Sequence, residues 1–123
     1  MSDWLADFYR DVDAMNLQGF LDRHTDDVVV TFGNNPPAIG KEQVGQAIGG
    51  FFQTVDGMKH TFVNVFTDGD TTILEADIEY TRKDGARVNV PSGTVLHRRD
   101  GLVDRLTIYI DLAPVFAPAM STF

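Results

Sequence analysis

Residues 74–80, Leu-Glu-Ala-Asp-Ile-Glu-Tyr, alternate apolar and acidic side chains without a break. Successive side chains of a β-strand point to opposite faces, so this run predicts a strand with Leu74, Ala76, Ile78 and Tyr80 on one side and Glu75, Asp77 and Glu79 on the other. The residues that follow add a second constraint. Lys83-Asp84-Gly85 has the chemistry of a three-residue hairpin loop, with Gly at the left-handed position. Such a loop sets Arg82 opposite Ala86, and therefore Tyr80 opposite Val88, Ile78 opposite Val90, Ala76 opposite Ser92 and Leu74 opposite Thr94. The apolar sets coincide, and Glu79 falls opposite Asn89 with Arg87 near. Two readings of the acids compete. Gathered in a cleft, they would make an acid/base site. Burying even one unpaired carboxylate costs several kcal/mol and neighbours repel, so the acids read as a solvated outer face.

The same turn chemistry recurs at Asp68-Gly69-Asp70 and Arg99-Asp100-Gly101. It divides the second half of the chain into strands near 58–67, 71–82, 86–98 and 102–112. Leu96, Leu106, Ile108 and Ile110 then face inward, and His97, Arg99, Arg105, Thr107, Tyr109 and Asp111 outward. The first half has a helical rhythm instead. Trp4, Leu5, Phe8, Val12 and Met15 form a stripe over 2–15, with Ser2 as cap. Asn16 caps a short second helix with Leu17, Phe20 and Leu21 inward, which Thr25-Asp26-Asp27 ends. A short strand follows at 28–32, then a helix over 41–55 that buries Val44, Ile48, Phe51, Phe52 and Val55. Gly45 and Gly49 lie on one side of that helix. Each costs about 1 kcal/mol against Ala there, which predicts close packing. The tail, with Pro114 and Pro118, reads as extended. The whole is one α+β domain over 1–123: three N-terminal helices on one face of a curved antiparallel sheet of four long strands and a short fifth.

Composition excludes several function classes. The net charge of −8, with basic pairs only at Arg82-Lys83 and Arg98-Arg99, opposes nucleic-acid binding and anionic membranes. No apolar run approaches the ~18 residues of a membrane span. The acidic start MSDWLADFYRD lacks the basic opening of a signal peptide, so a cytoplasmic protein is expected. Without Cys there is no disulfide or thiolate metal site. The His residues, His24, His60 and His97, lack metal-ligand spacing. His24 is expected to bond carbonyls at the end of the short helix, and Asp111 to fix a strand end or cap a helix. The inner wall, aliphatic with the hydroxyls of Ser92 and Thr94, suits either a pocket for a small apolar molecule or an ordinary core.

The ordering resembles the SnoaL-like group of the nuclear transport factor 2-like superfamily. The aromatic first helix, DDVVVTF before a Pro-rich loop, G-K-E-Q-V opening a helix, GDTTILEADI, PSGTVLH and RRDGLVDRLTIYIDL carry the resemblance over nearly the whole chain. It implies a cone, with the sheet curled around the helices and a ligand at the wide mouth. Members include steroid isomerases, polyketide cyclases, epoxide hydrolases and dehydratases, and others that only bind or assemble. The stretch GNNPPAIG would form the lip, stiffened by Pro36 and Pro37. Asn34 and Asn35 there would either contact a ligand or satisfy turn backbone. Trp4, Phe8, Phe32, Ala76, Ile78, Val90, Ser92, Thr94, Ile108 and Ile110 would line the pocket.

Residue by residue, the acid and base positions of those enzymes are absent here. The cyclase Asp maps to Ile108, three positions before Asp111. The epoxide hydrolase Arg and Asp of the earlier strand map to Ala76 and Ile78; a shift by one would offer Glu75 and Asp77, which the alternation opposes. The steroid isomerase base maps near Thr31 or Phe32, its proton donor near Thr94, and its helix Tyr near Phe8, beside Tyr9. His60 and Tyr80 are the remaining candidates for catalysis. His60 carries an imidazole, the side chain suited to proton transfer, and begins a strand in step with Met58, Phe62 and Asn64; its alternative is a strand-start His bonded to backbone. Tyr80 points inward and can hydrogen-bond a ligand carbonyl or oxyanion, or simply find a core partner. Two functions follow: a cofactor-free isomerase, cyclase or hydrolase acting on a steroid-, terpene- or polyketide-like molecule, or a ligand-binding or assembly protein without turnover. The resemblance also implies a homodimer through the outer sheet face, where Arg105, Thr107 and Tyr109 lie.

Overall fold

The computed structural model describes residues 2–118. Helix α1 (Asp3–Asp13) starts where Ser2 accepts a hydrogen bond from the Leu5 amide, and α2 (Leu17–Asp22) where Asn16 accepts one from the Gly19 amide. Strand β1 (His24–Phe32) begins earlier than the periodicity predicts. Thr25-Asp26-Asp27 does not end α2 outside a strand but sits in an irregular stretch of β1 between the paired residues His24 and Val29. That irregularity puts consecutive acids in water and hides alternation from the sequence.

The Pro-rich loop contains β2 (Ala38–Ile39), which folds back on Val29 and Val30. Two residues are too few to show a period, so this strand is illegible in the sequence. Helix α3 (Gly40–Phe52) ends before the predicted 55, and Val55 instead opens β3 (Val55–Asp68). Cβ atoms placed on Gly45 and Gly49 would meet Leu21 at 3.3 Å and Leu17 at 2.9 Å, so the glycines admit the α2 leucines. Three long strands follow: β4 (Thr71–Arg82), β5 (Arg87–Arg99) and β6 (Leu102–Ile110). The tail is not extended. It turns into α4 (Ala113–Phe116), because Asp111 accepts from the Ala113 amide at 2.9 Å and Pro114 fits a first helical turn. The rest of the predicted extended tail, 119–123, lies outside the described residues.

The strands form one six-stranded sheet in the order β2-β1-β6-β5-β4-β3. All pairs are antiparallel except β1 with β6, which run parallel. The β4–β5 register is the predicted one: Tyr80 faces Val88, Ile78 Val90, Ala76 Ser92, Leu74 Thr94 and Glu79 Asn89. Leu74, Ala76, Ile78 and Tyr80 are buried, while Glu75 and Asp77 are exposed. The helices cover the apolar face and complete two core clusters. One gathers Leu5, Phe8, Phe20, Val44 and Leu106; the other gathers Val55, Ile78, Tyr80, Val90 and Val115. Among the described residues, no helix is long and apolar enough to cross a membrane.

Candidate functional site

Between the helices and the sheet lies an interior cavity of about 50 Å³, walled by side chains that include Phe8, Tyr9, Phe51, Met58, Tyr80 and Ile108. It has room for little more than water. Beside it, sharing Phe32, Ile48 and Phe51, a groove of about 380 Å³ opens at the mouth between the Pro-rich loop, α3 and the chain end. Asn35, Pro36, Ala38, Ala47, Leu112 and Phe116 also border the groove. A further cleft at the lip is bordered by Gly33, Asn34, Asn35, Ile110 and Phe116. The lip bends because Gly33 adopts φ 60°, where an added Cβ would come within 3.2 Å of the Ile110 carbonyl.

The polar groups of the interior cavity are phenols. Tyr80 is 2% exposed. Burial pushes its pKa up, and the Asp13 carboxylate adds to the rise. Burial raises the Tyr9 phenol likewise. Both therefore stay neutral hydrogen-bond donors at ordinary pH. Thr94 hydrogen-bonds the Tyr9 phenol, whereas burial and the Asp13 charge alone shift the Tyr80 phenol, which borders the same cavity.

His60 is held by a partner distant in sequence. Its Nδ1 lies 2.6 Å from Asp13 Oδ1, and its backbone amide donates to the same carboxylate. The ring sits 4.8 Å from that of Tyr9, which separates it from the cavity. Asp13 went unseen in the sequence because nothing local links the end of a helix to a strand 47 positions away. His60 stays in step with Met58 and Phe62, but Asn64 does not. A bulge after Phe62 turns Asn64 outward, where it donates to Glu75 at 2.6 Å.

The other expected residues separate into groups. Phe8, Phe32, Tyr80 and Ile108 border the interior cavity, and Phe32 and Asn35 the groove. Asn34, Asn35 and Ile110 border the lip cleft. Asn35 also donates to the Phe32 carbonyl at 2.9 Å, the turn-satisfying role. Ala76, Ile78, Val90, Ser92 and Thr94 are buried in the sheet wall and line neither the cavity nor the groove, though Thr94 hydrogen-bonds the Tyr9 phenol and Ile78 and Val90 pack beside Tyr80. Ser92 donates to the Ala76 carbonyl there. Trp4 stacks on Phe8 with the Arg98 guanidinium 4.2 Å above its ring, behind the cavity wall. The residues that sequence reasoning left out of the site, Phe51 and Ile48 above all, were legible as the buried stripe of α3. Phe116 had no such signal. Among the described residues no cluster of His, Asp and Glu could hold a metal ion.

Comparison with known proteins places this geometry. The profile of the SnoaL-like domain family matches residues 5–106. No curated protein sequence matches the chain. Among solved structures, a protein with a ketosteroid isomerase-like fold from Catenulispora acidiphila, in complex with trimethylamine, is similar at a TM-score of 0.84 and 18% identity, covering 100% of this chain and 99% of that one. A protein assigned as a SnoaL-like polyketide cyclase from Jannaschia is similar at 0.75 and 18%, over 96% and 97% of the two chains. An LEH-like epoxide hydrolase of M. tuberculosis is similar at 0.75 and 16%, over 92% and 84%. At such identities these structures establish a shared fold. Their agreement with the profile match gives the conclusion: this chain belongs to the SnoaL-like domain family.

Proposed function

We propose that the chain binds a small, largely apolar molecule that carries a hydrogen-bond acceptor, seated in the mouth groove with one end reaching the interior cavity. The groove volume lies in the ~300–1,000 Å³ range of small-molecule sites. The observation that carries the reading is the buried Tyr80 phenol, a neutral donor on the wall of a cavity that is apolar apart from it and Tyr9. By the resemblance, the charged positions of the cyclases, hydrolases and isomerases are held here by Ile108, Ala76, Ile78 and Thr94. Binding without turnover is therefore the reading favoured. Calorimetric titration with steroid-, terpene- and polyketide-like molecules tests it. A ketone should bind more tightly than its hydrocarbon counterpart, and Tyr80→Phe should remove that preference, worth about 1 kcal/mol for a neutral hydrogen bond. Equal affinities in the wild-type protein would sink the assignment of Tyr80.

A second reading rests on the Asp13–His60 pair. A carboxylate on Nδ1 orients an imidazole for proton transfer at its other nitrogen. A substrate that displaced Tyr9 would meet it, giving a cofactor-free isomerase, cyclase or hydrolase. Ketosteroid, epoxide and polyketide-like panels decide this. Turnover abolished by His60→Ala with binding retained supports catalysis, and turnover indifferent to that change removes His60 from it.

A further inference from the structure

The groove is roofed by the chain end. Helix α4 is a single turn, and turns this short do not hold themselves together. Val115 is its buried anchor, set among Val55, Tyr80 and Val90. Phe116 lies over the opening: it borders both the groove and the lip cleft and meets Phe51 edge to face at 6.1 Å, yet stays 55% exposed. Arg82, at the end of β4, supplies what the turn lacks. Its Nη1 donates to the Pro114 carbonyl at 3.0 Å and its Nη2 to the Ala117 carbonyl. These are the carbonyls that a helix end leaves unpaired, and charge-assisted bonds to them are strong. Asp84, 3.1 Å from the same guanidinium, steadies it. The side chain of Arg82 is 15% exposed, so it is committed to this contact.

We propose that α4 is a gate over the mouth groove, with Phe116 as its leaf and Arg82 as its latch. Arg82 is thus a positioning residue that sets how fast an apolar guest enters and leaves. The inference rests on the ligand-binding reading above. Movement of α4 breaks the Arg82 bonds and uncovers Val115, while the sheet and α3 stay in place. Local openings of this kind are drawn from the least protected elements.

The test uses N-phenyl-1-naphthylamine, a neutral apolar fluorophore on which loss of the Arg82 charge has no direct effect, in stopped-flow mixing with the full chain. Arg82→Met keeps the stem and removes the donors, and Phe116→Ala removes the leaf. Each should speed both association and dissociation about tenfold, and Arg82→Met, which does not line the groove, should leave Kd within about threefold. Without any ligand, chymotrypsin cleavage after Phe116 should run about tenfold faster in Arg82→Met than in wild type, since opening precedes cutting. Arg82→Lys, which retains a donor, should fall between them and serves if Arg82→Met does not fold. Unchanged cleavage overturns the latch. Faster cleavage with unchanged probe rates overturns the gate and leaves α4 as packing alone. A probe that binds none of the proteins defeats the ligand-binding reading, and the gate with it.

Discussion

His24 is fully buried, its Nδ1 2.6 Å from the Phe20 carbonyl and its ring against Phe8 and Phe20. Among the described residues its Nε2 has no partner. Burial lowers its pKa from 6.5 to about 4; the Phe20 carbonyl opposes the shift, and Lys41 adds to it. A base whose folded pKa is depressed stabilises the fold fully above its unfolded pKa. That contribution is lost as pH falls from about 6.5 towards 4, by at most about 3 kcal/mol. Urea unfolding across this window should therefore show a steeper fall for the wild type than for His24→Gln, whatever the variant's own stability. Parallel curves would mean that His24 takes up its proton without cost. The carbonyl bond of His24 was legible in the sequence from its place after α2. Its complete burial was not, because that depends on where β6 crosses it: Val103 pairs with His24 and is itself buried.

At the scale of elements, legibility followed locality. The β4–β5 hairpin could be written down residue by residue, since a three-residue loop sets the register and alternation sets the faces. Features fixed by distant pairing could not. The parallel placement of β1 beside β6, the two-residue β2, and the bulge that turns Asn64 out each depend on a partner elsewhere in the chain. The candidate site divides in the same way. Its aromatic wall is a helical stripe, whereas the Asp13–His60 pair and the Arg82–α4 contact join segments 47 and more than 30 positions apart. The Asp13 carboxylate ties the end of α1 to the start of β3 through both the amide and the ring of His60. Asp13→Ala should cost about 1–3 kcal/mol, because it leaves that amide without its acceptor. A double-mutant cycle with His60→Ala should return a coupling of about 1 kcal/mol or more. Additive losses would show that the two residues do not act as a unit.

For the whole molecule, the outer face of the sheet is the surface least explained by folding. Phe66, Ile73 and Val95 line up across β3, β4 and β5 by register, and Phe66, Ile73, Val63 and Tyr109 are well exposed. Acids of β4 and the Arg105 side chain of β6 lie on the same face, so a two-fold related copy can set one against the other. We infer a homodimer through this face, and sedimentation tests it. The wild type should sediment as a dimer and Ile73→Lys as a monomer with its fold intact. A wild-type monomer at tens of micromolar would refute the interface. The face opposite, under the helices, carries the proposed binding site, so the two functions do not compete for surface.

The measurement that bears most directly on that site is an equilibrium titration with N-phenyl-1-naphthylamine of the wild type and of Ala47→Trp. Ala47 is exposed on α3 and borders the mouth groove, so an indole there fills the groove without entering the core. Saturable binding of one probe per chain, abolished in Ala47→Trp while the unfolding midpoint is kept, is the predicted result. Probe binding that does not saturate, or that persists undiminished in Ala47→Trp, would contradict a ligand site at the mouth.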